Sequence, residues 1–132
     1  MGAINYLLDT HTFLWVALND TKLSVMAKAA ISSKDATVYV SPVTAYEIMN
    51  KYRIGKLPGY KAIAENYLNV FNNSGVSEIL INTEHFHYAG SFEWEHRDPF
   101  DRMLAAQAFI DNMILVTHDD VFKSLSWVNT LW

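Results

Sequence analysis

Short apolar runs alternate with longer amphipathic stretches along this chain, and the alternation predicts strands and helices in turn. Apolar runs that begin with or contain β-branched residues predict buried strands. These runs cover residues 4–8, 36–40, 77–82, 113–119 and, as an edge strand, 127–132. Apolar residues spaced three or four apart predict helices over residues 10–18, 22–33, 42–54, 60–73, 83–92 and 98–112.

The order of these elements predicts the fold class. Strands that are apolar on both faces and alternate with helices are typical of a parallel sheet covered on both sides. We therefore expect an α/β protein, a three-layer α/β/α sandwich with a central, mostly parallel sheet. The length of 132 residues predicts one domain that spans residues 1–132. Sites in such folds form beyond the carboxyl ends of the strands.

Composition narrows the function classes. The chain has no cysteine, which excludes disulfides and cysteine-based zinc sites. Its five glycines are scattered, so there is no glycine-rich phosphate loop. The first apolar run lacks a basic flank, and no run is long enough to cross a membrane. We expect a cytoplasmic protein with no membrane partner.

Acidic residues come after several of the predicted strands. Asp9 ends the first strand, Glu47 lies in the second turn of the helix after the second strand, and Asp119 ends strand 113–119. Asp101 lies in the first turn of the helix before that strand. Carboxylates that meet at one sheet edge need protons or a cation. Oxygen ligands favour Mg²⁺ or Mn²⁺, which can activate a water to hydrolyse a phosphodiester.

The charge balance bears on the substrate. A formal net charge of −4 argues against a nucleic-acid surface. Without the four acids above, however, the remaining charges balance to zero. Basic residues also lie on the segments that carry the candidate ligands, namely Lys51, Arg53, Lys56, Arg97 and Arg102. An anionic polymer is therefore a reasonable substrate, with Lys51, Arg97 or Arg102 steering its phosphate.

Helix capping offers a structural alternative for several acids. Asp98 precedes Pro99 as a good N-cap, and Asp101 favours the dipole of the same helix. Thr44 and Glu47 fit a capping box if their helix starts later than Pro42. Asp119 and Asp120 could start a last helix. Asp9 is the hardest to explain in this way, because it has no cap to make unless it starts a helix itself.

Histidines and aromatic residues give weaker signals. His85, His87 and His96 lack a fourth ligand at zinc spacing, so we do not expect a histidine metal site. His118 lies next to the acidic edge and is interpreted as a surface residue that could touch substrate. Tyrosines and tryptophans within the apolar stripes are interpreted as core rather than as a platform for stacking bases.

Four segments together resemble the PIN domain, and within it the VapC toxins of bacterial type II toxin–antitoxin pairs. They are "YLLDTHTFLW" at 6–15, "VSPVTAYEI" at 40–48, "HRDPFDRMLAAQA" at 96–108 and "LVTHDDVF" at 115–122. They occur in the family order and span nearly the whole chain. The third segment is the most specific of the four.

The resemblance implies a Mg²⁺- or Mn²⁺-dependent endoribonuclease that forms a homodimer and is inhibited by a cognate antitoxin. The family's acidic quartet, which holds the metal and carries catalysis, maps onto Asp9, Glu47, Asp101 and Asp119. Supporting or substrate-contacting roles fall to Asp98, Ser41, Thr44, Thr117 and Arg102. Thr117 favours Asp119 over Asp120 because it precedes Asp119 by two residues.

Three other interpretations of the residues stay open. A phosphatase of the haloacid-dehalogenase type would use Asp9 as nucleophile, although His11 stands where that chemistry usually wants a second Asp. A phospho-receiver domain needs an acceptor Asp after a middle strand, and none occurs between Asp35 and Asp98. A degenerate member of the fold would only bind a partner.

Overall fold

The computed structural model describes residues 3–132, in which five strands and seven α-helices alternate. The strands are β1 (Ile4–Leu8), β2 (Ala36–Val40), β3 (Ser77–Glu78), β4 (Ile114–Val116) and β5 (Thr130–Leu131). The helices are α1 (Thr10–Leu18), α2 (Val25–Ile31), α3 (Pro42–Arg53), α4 (Lys61–Glu65), α5 (Tyr67–Asn72), α6 (Thr83–Ser91) and α7 (Pro99–Ile110). A 3-10 helix, Asp120–Ser124, lies between β4 and β5.

The strands form one sheet in the order β3-β2-β1-β4-β5. Each neighbouring pair runs parallel, so the expectation of a mostly parallel sheet is confirmed. β1 is the central strand, with β2 on one side and β4 on the other. The chain moves outward from β1 in both directions, and sheets of this kind bind ligands at the carboxyl ends of the strands where the direction changes. Asp9 stands at that point.

Two hydrophobic cores cover the two faces of the sheet. Tyr6 and Leu8 of β1 belong to one core together with α1, α2 and α4, whereas Leu7 belongs to the other core with α7. Successive side chains of a strand point to opposite faces, so one strand supplies both cores. This arrangement confirms the three-layer α/β/α sandwich.

Several predicted elements are shorter than their patterns suggested. The helix expected over 60–73 is two helices, α4 and α5, that meet at Asn66. β3 covers only Ser77–Glu78 instead of 77–82, and β4 only Ile114–Val116 instead of 113–119. β3 ends early because its neighbour β2 ends at Val40, the residue that pairs with Glu78.

One detail of helix packing was wrong, and one capping alternative is excluded. The helical spacing of residues 10–18 and 22–33 places Leu18 and Met26 on the inward stripes, but 50% and 62% of their surfaces are exposed. The Thr44–Glu47 capping box is excluded because Ser41 caps α3, with its hydroxyl accepting a hydrogen bond from the Val43 N–H at 3.2 Å. Between residues 3 and 132, no helix has both the length and the apolar character needed to span a membrane.

Candidate metal and catalytic site

A cavity of about 550 Å³ opens at the carboxyl edge of the sheet. All four acids of the predicted quartet line it, and so does Asp98. Its other lining residues are Thr10, His11, Trp15, Lys51, His96 and His118. The fold therefore brings together acidic residues from four separate segments of the chain, as their positions after strands predicted.

Asp9 is buried at the base of the cavity and both of its carboxylate oxygens are occupied. Oδ1 accepts a hydrogen bond from the Thr12 N–H at 2.8 Å, which caps α1, and Oδ2 accepts one from the Thr117 hydroxyl. Burial raises the pKa of Asp9, although these hydrogen bonds act in the opposite direction. Asp9 does start a helix, so one carboxylate both caps α1 and lines the cavity.

Glu47 is buried against the cavity wall, where it is neutralised by a neighbour on its own helix. Lys51, one turn further along α3, donates a hydrogen bond to Oε2, and the Thr10 hydroxyl donates to Oε1. Burial lowers the pKa of Lys51, but the hydrogen bond and charge of Glu47 outweigh burial and raise it overall. A lysine that stays charged inside the cavity can also attract an anionic substrate.

Asp101 lies next to a histidine and a second carboxylate, and both kinds of side chain can bind a metal ion. Its Oδ2 is 2.6 Å from Nε2 of His96. Ligand atoms of His96, Asp98 and Asp101 all lie within 4.8 Å of one another. Burial raises the pKa of Asp101 to about 6, and the negative charges of Asp98 and Glu47 add to the effect, while the hydrogen bond from His96 lowers it.

Asp98 has the capping role that the sequence predicted. Its Oδ1 accepts hydrogen bonds from the N–H groups of Phe100 at 2.9 Å and Asp101 at 3.2 Å, at the start of α7. These bonds fix the first turn of α7. Asp98 therefore holds the backbone from which the Asp101 side chain reaches the cavity.

Asp119 and Asp120 are adjacent in the chain but have different surroundings. Asp119 lines the cavity and caps the 3-10 helix by accepting a hydrogen bond from the Val121 N–H at 3.0 Å. Thr117 accepts a hydrogen bond from the Asp119 N–H at 3.0 Å, which links Asp119 to the Asp9 contact. Asp120 instead pairs with Lys123 at 2.8 Å in solvent. The geometry favours Asp119 as the member of the pair that acts in the site.

Ser41 and Thr44 support the site from α3. Ser41 caps this helix, and the hydroxyls of Thr44 and Thr10 lie 3.2 Å apart. The Thr10 hydroxyl in turn contacts Glu47. Both residues are buried and neither lines the cavity, so Ser41 fixes the start of α3 and Thr44 supports Glu47 through Thr10.

Arg102 does not fit its expected role of steering a phosphate. It is not among the residues that line the cavity. Its guanidinium donates hydrogen bonds to the backbone carbonyls of Ala89, Phe92, Trp94 and His96 and lies over the Phe92 ring. Arg102 therefore fastens the segment between α6 and α7, including the backbone of His96, to the body of the protein.

His96 is the site residue that sequence reasoning missed. The sequence groups it with His85 and His87 as a candidate zinc ligand, but its partners in space are Asp98 and Asp101. His85 has a structural role: its Nδ1 accepts a hydrogen bond from the Asn82 N–H, and its Nε2 lies 2.9 Å from Asp111. The usable signal was the position of His96 two residues before Asp98, on the approach to a helix N-terminus that carries another acid.

The donor set of this cavity fits a divalent metal ion. Burial and mutual repulsion raise the pKa of Asp101, so the cluster of carboxylates carries a cost that a cation would relieve. Oxygen donors suit Mg²⁺ and Mn²⁺, and the imidazole of His96 adds a donor that Mn²⁺ accepts more readily than Mg²⁺. His96, Asp98 and Asp101 present the ligand atoms that lie close enough together to share such an ion, and Asp9, Glu47 and Asp119 line the same cavity.

The PIN domain family model matches residues 6–128, and the chain belongs to this family. The match covers β2, β3, β4, most of β1 and every acid of the cavity, and it ends before β5. A sequence comparison with curated proteins finds no match. Membership of the PIN family leaves the phosphatase and receiver alternatives without support, because it assigns this chain to a different family from either.

Several solved structures of similar fold contain chains of VapBC systems. A chain of VapBC2 from Rickettsia felis, bound to a promoter DNA fragment, matches with a TM-score of 0.70 and 19% identity over 97% of this chain and 98% of that one. A DNA-bound VapBC chain from Salmonella typhimurium gives 0.68 and 18%, with 97% of both chains covered. A chain of VapBC-5 from Mycobacterium tuberculosis gives 0.60 and 17%, covering 96% and 97%. At these identities the similarity shows the fold.

Proposed function

We propose that this protein is a Mg²⁺- or Mn²⁺-dependent endoribonuclease and the toxin of a type II toxin–antitoxin pair. The observation that carries the proposal is the convergence of Asp9, Glu47, Asp101 and Asp119 on one cavity at the carboxyl edge of a PIN-type sheet. The toxin assignment is supported by the fold shared with chains of VapBC complexes.

The chain's own residues supply a rigid and charged frame for this reaction. Hydrogen bonds from Thr12 and Thr117 fix the Asp9 carboxylate, and Asp98 fixes the turn that carries Asp101. A bound divalent ion would lower the pKa of a water for attack and neutralise charge on the phosphate. Lys51 lines the same cavity and would attract the phosphate of the RNA.

Cleavage of end-labelled RNA tests the proposed reaction. Purified protein should cut RNA with Mn²⁺ and lose this activity with EDTA. Attack by water predicts a 5′-phosphate and a 3′-hydroxyl at the cut. A 2′,3′-cyclic phosphate would contradict the mechanism, since that product requires attack by the 2′-hydroxyl of the RNA. Metal binding by calorimetry without cleavage of any RNA would instead favour the binding-only alternative.

A homodimer, a cognate antitoxin and a cytoplasmic location belong to the same proposal. An apolar groove of about 560 Å³ between α3, α6 and α7 supports the dimer. Pro42, Tyr46, Phe86, Phe100 and Met103 are among its lining residues. Tyr46 and Phe86 are 66% and 47% exposed, and exposed apolar patches of this kind commonly mark protein interfaces. The antitoxin is a separate chain, suggested by the VapBC complexes of similar fold.

Charge placed in this groove should break the dimer. Tyr46→Glu would bury an unpaired carboxylate in the interface, so the variant is expected to run as a monomer when wild type runs as a dimer. Multi-angle light scattering after size-exclusion chromatography measures both masses. Leu68→Glu is the matched control, because Leu68 is 75% exposed on α5, outside the groove. A monomeric wild type, or a dimeric Tyr46→Glu, would reject this surface.

A further inference from the structure

An aromatic group lies at the acidic cavity, and three of its members, His11, Trp15 and His118, line the cavity. The ring centroid of Trp15 lies 5.9 Å from that of His11, 6.2 Å from His118 and 5.5 Å from Trp132. His118 and Trp132 are themselves 5.3 Å apart. The Trp15 indole N–H donates a hydrogen bond to the Tyr60 hydroxyl at 3.2 Å. We refer to these five residues as the aromatic wall.

The fold places the aromatic wall beside the proposed metal ligands. His11 and Trp15 are four residues apart on α1, so they lie on the same helix face. His118 comes after β4 and Trp132 after β5, and these strands are parallel neighbours. The wall is therefore built from the same sheet edge that carries Asp9 and Asp119.

Packing accounts for only part of the aromatic wall, because Tyr60 and Trp132 lie against the core that includes α1. A second aromatic group contains Tyr88, Phe92, Phe109 and Trp127, with ring centroids 4.9 to 5.6 Å apart. Phe92 and Trp127 of this group pack against the core under α7, and no member lines the acidic cavity. By contrast, His11 and His118 are exposed, and both line the cavity with Trp15.

We propose that the aromatic wall holds one unpaired nucleobase of the RNA substrate, next to the phosphate that is cleaved. This inference rests on the proposed ribonuclease function. A neutral base is not repelled by the adjacent acids, and aromatic rings bind unpaired bases by stacking. The arrangement thus separates the two parts of a nucleotide, with the phosphate towards Lys51 and the acidic cluster and the base towards Trp15 and His118.

The aromatic wall also restricts the class of substrate. Bases within a duplex are stacked on each other and cannot be splayed onto a protein ring without unpairing. The enzyme should therefore cut single-stranded segments and loops. Each base has an aromatic face, so stacking by itself gives a requirement for an unpaired base rather than for one base identity.

The inference is tested by asking whether the effect of removing one base of the RNA depends on the aromatic wall being intact. A short single-stranded RNA cut by wild type is first mapped, and each nucleotide next to the cut is then replaced in turn by an abasic one. At one position, loss of the base should raise KM for wild type roughly 5-fold or more, with a smaller change in kcat. In His118→Ala and Trp15→Leu, loss of the same base should have little further effect.

Conservative and distant variants separate stacking from a structural role. His118→Phe and Trp15→Phe keep a ring and should restore the dependence on the base. His87→Ala is the matched control, since His87 is exposed on α6 and does not line the cavity, and it should behave as wild type. If removing the ring and removing the base have independent effects on cleavage, the aromatic wall does not bind the base. The ribonuclease proposal would not be affected by that result. If wild type cuts no RNA at all, the ribonuclease proposal fails and the inference fails with it.

Discussion

Asp101→Asn is expected to lower the rate of metal-dependent RNA cleavage by roughly 100-fold or more. Asn is nearly the same size as Asp but carries no charge, so it binds a divalent cation much more weakly. The surroundings of Asp101 favour a cation, because burial and the charges of Asp98 and Glu47 raise its pKa to about 6. Cleavage rates at saturating Mn²⁺ measure the effect, and calorimetry measures the accompanying loss of metal affinity.

Asp120→Asn is the matched control for this experiment. Asp120 is a neighbour of the site in sequence but pairs with Lys123 in solvent, so its substitution should leave cleavage within about 2-fold of wild type, as for a surface group that meets neither metal nor substrate. Circular dichroism should show that both variants are folded. Equal cleavage by wild type and Asp101→Asn would mean that the activity comes from a contaminant or from another site.

Without metal, the free energy of unfolding should fall as pH rises from about 4 to above 6. Asp101 has a pKa of about 6 in the folded protein, against an ordinary value of 3.8. Between these two values the folded state binds more protons than the unfolded state, so raising the pH destabilises the fold. The expected loss from Asp101 is about 2 kcal/mol. Asp9, whose pKa is also raised by burial, acts in the same direction.

Chemical denaturation in EDTA at several pH values measures this dependence. The side chain in Asp101→Asn cannot ionise, so the free energy of unfolding of this variant should depend less on pH. The metal-free variant should therefore be more stable than wild type at neutral pH. Mn²⁺ should stabilise wild type above pH 6, because the ion binds the folded state, and should stabilise the variant much less. Stability that increases between pH 4 and 6 in EDTA would contradict the raised pKa of Asp101.

Local patterns were enough to indicate much of the fold. Apolar strands between amphipathic helices indicated the sandwich, and Asp98 with Pro99 marked a helix start that the structure confirms. Strand lengths were not predictable in this way. Residues 79–82 are as apolar as a strand, yet they lie beyond β3, because strand formation depends on a partner strand at the right distance rather than on composition alone.

For the candidate site too, the sequence predicted some features and tertiary packing decided the others. The order of residues along the chain was enough to predict that Asp9, Glu47, Asp101 and Asp119 meet at one edge, since the carboxyl ends of parallel strands lie on a common side of the sheet. The contacts of each side chain were set by tertiary packing. Packing turned Arg102 towards four backbone carbonyls, brought His96 to Asp101, paired Glu47 with Lys51 and set His11, Trp15 and His118 along the cavity. The physical reason is that strand order fixes where a residue leaves the sheet, whereas the direction of its side chain depends on packing between segments that are distant in the chain.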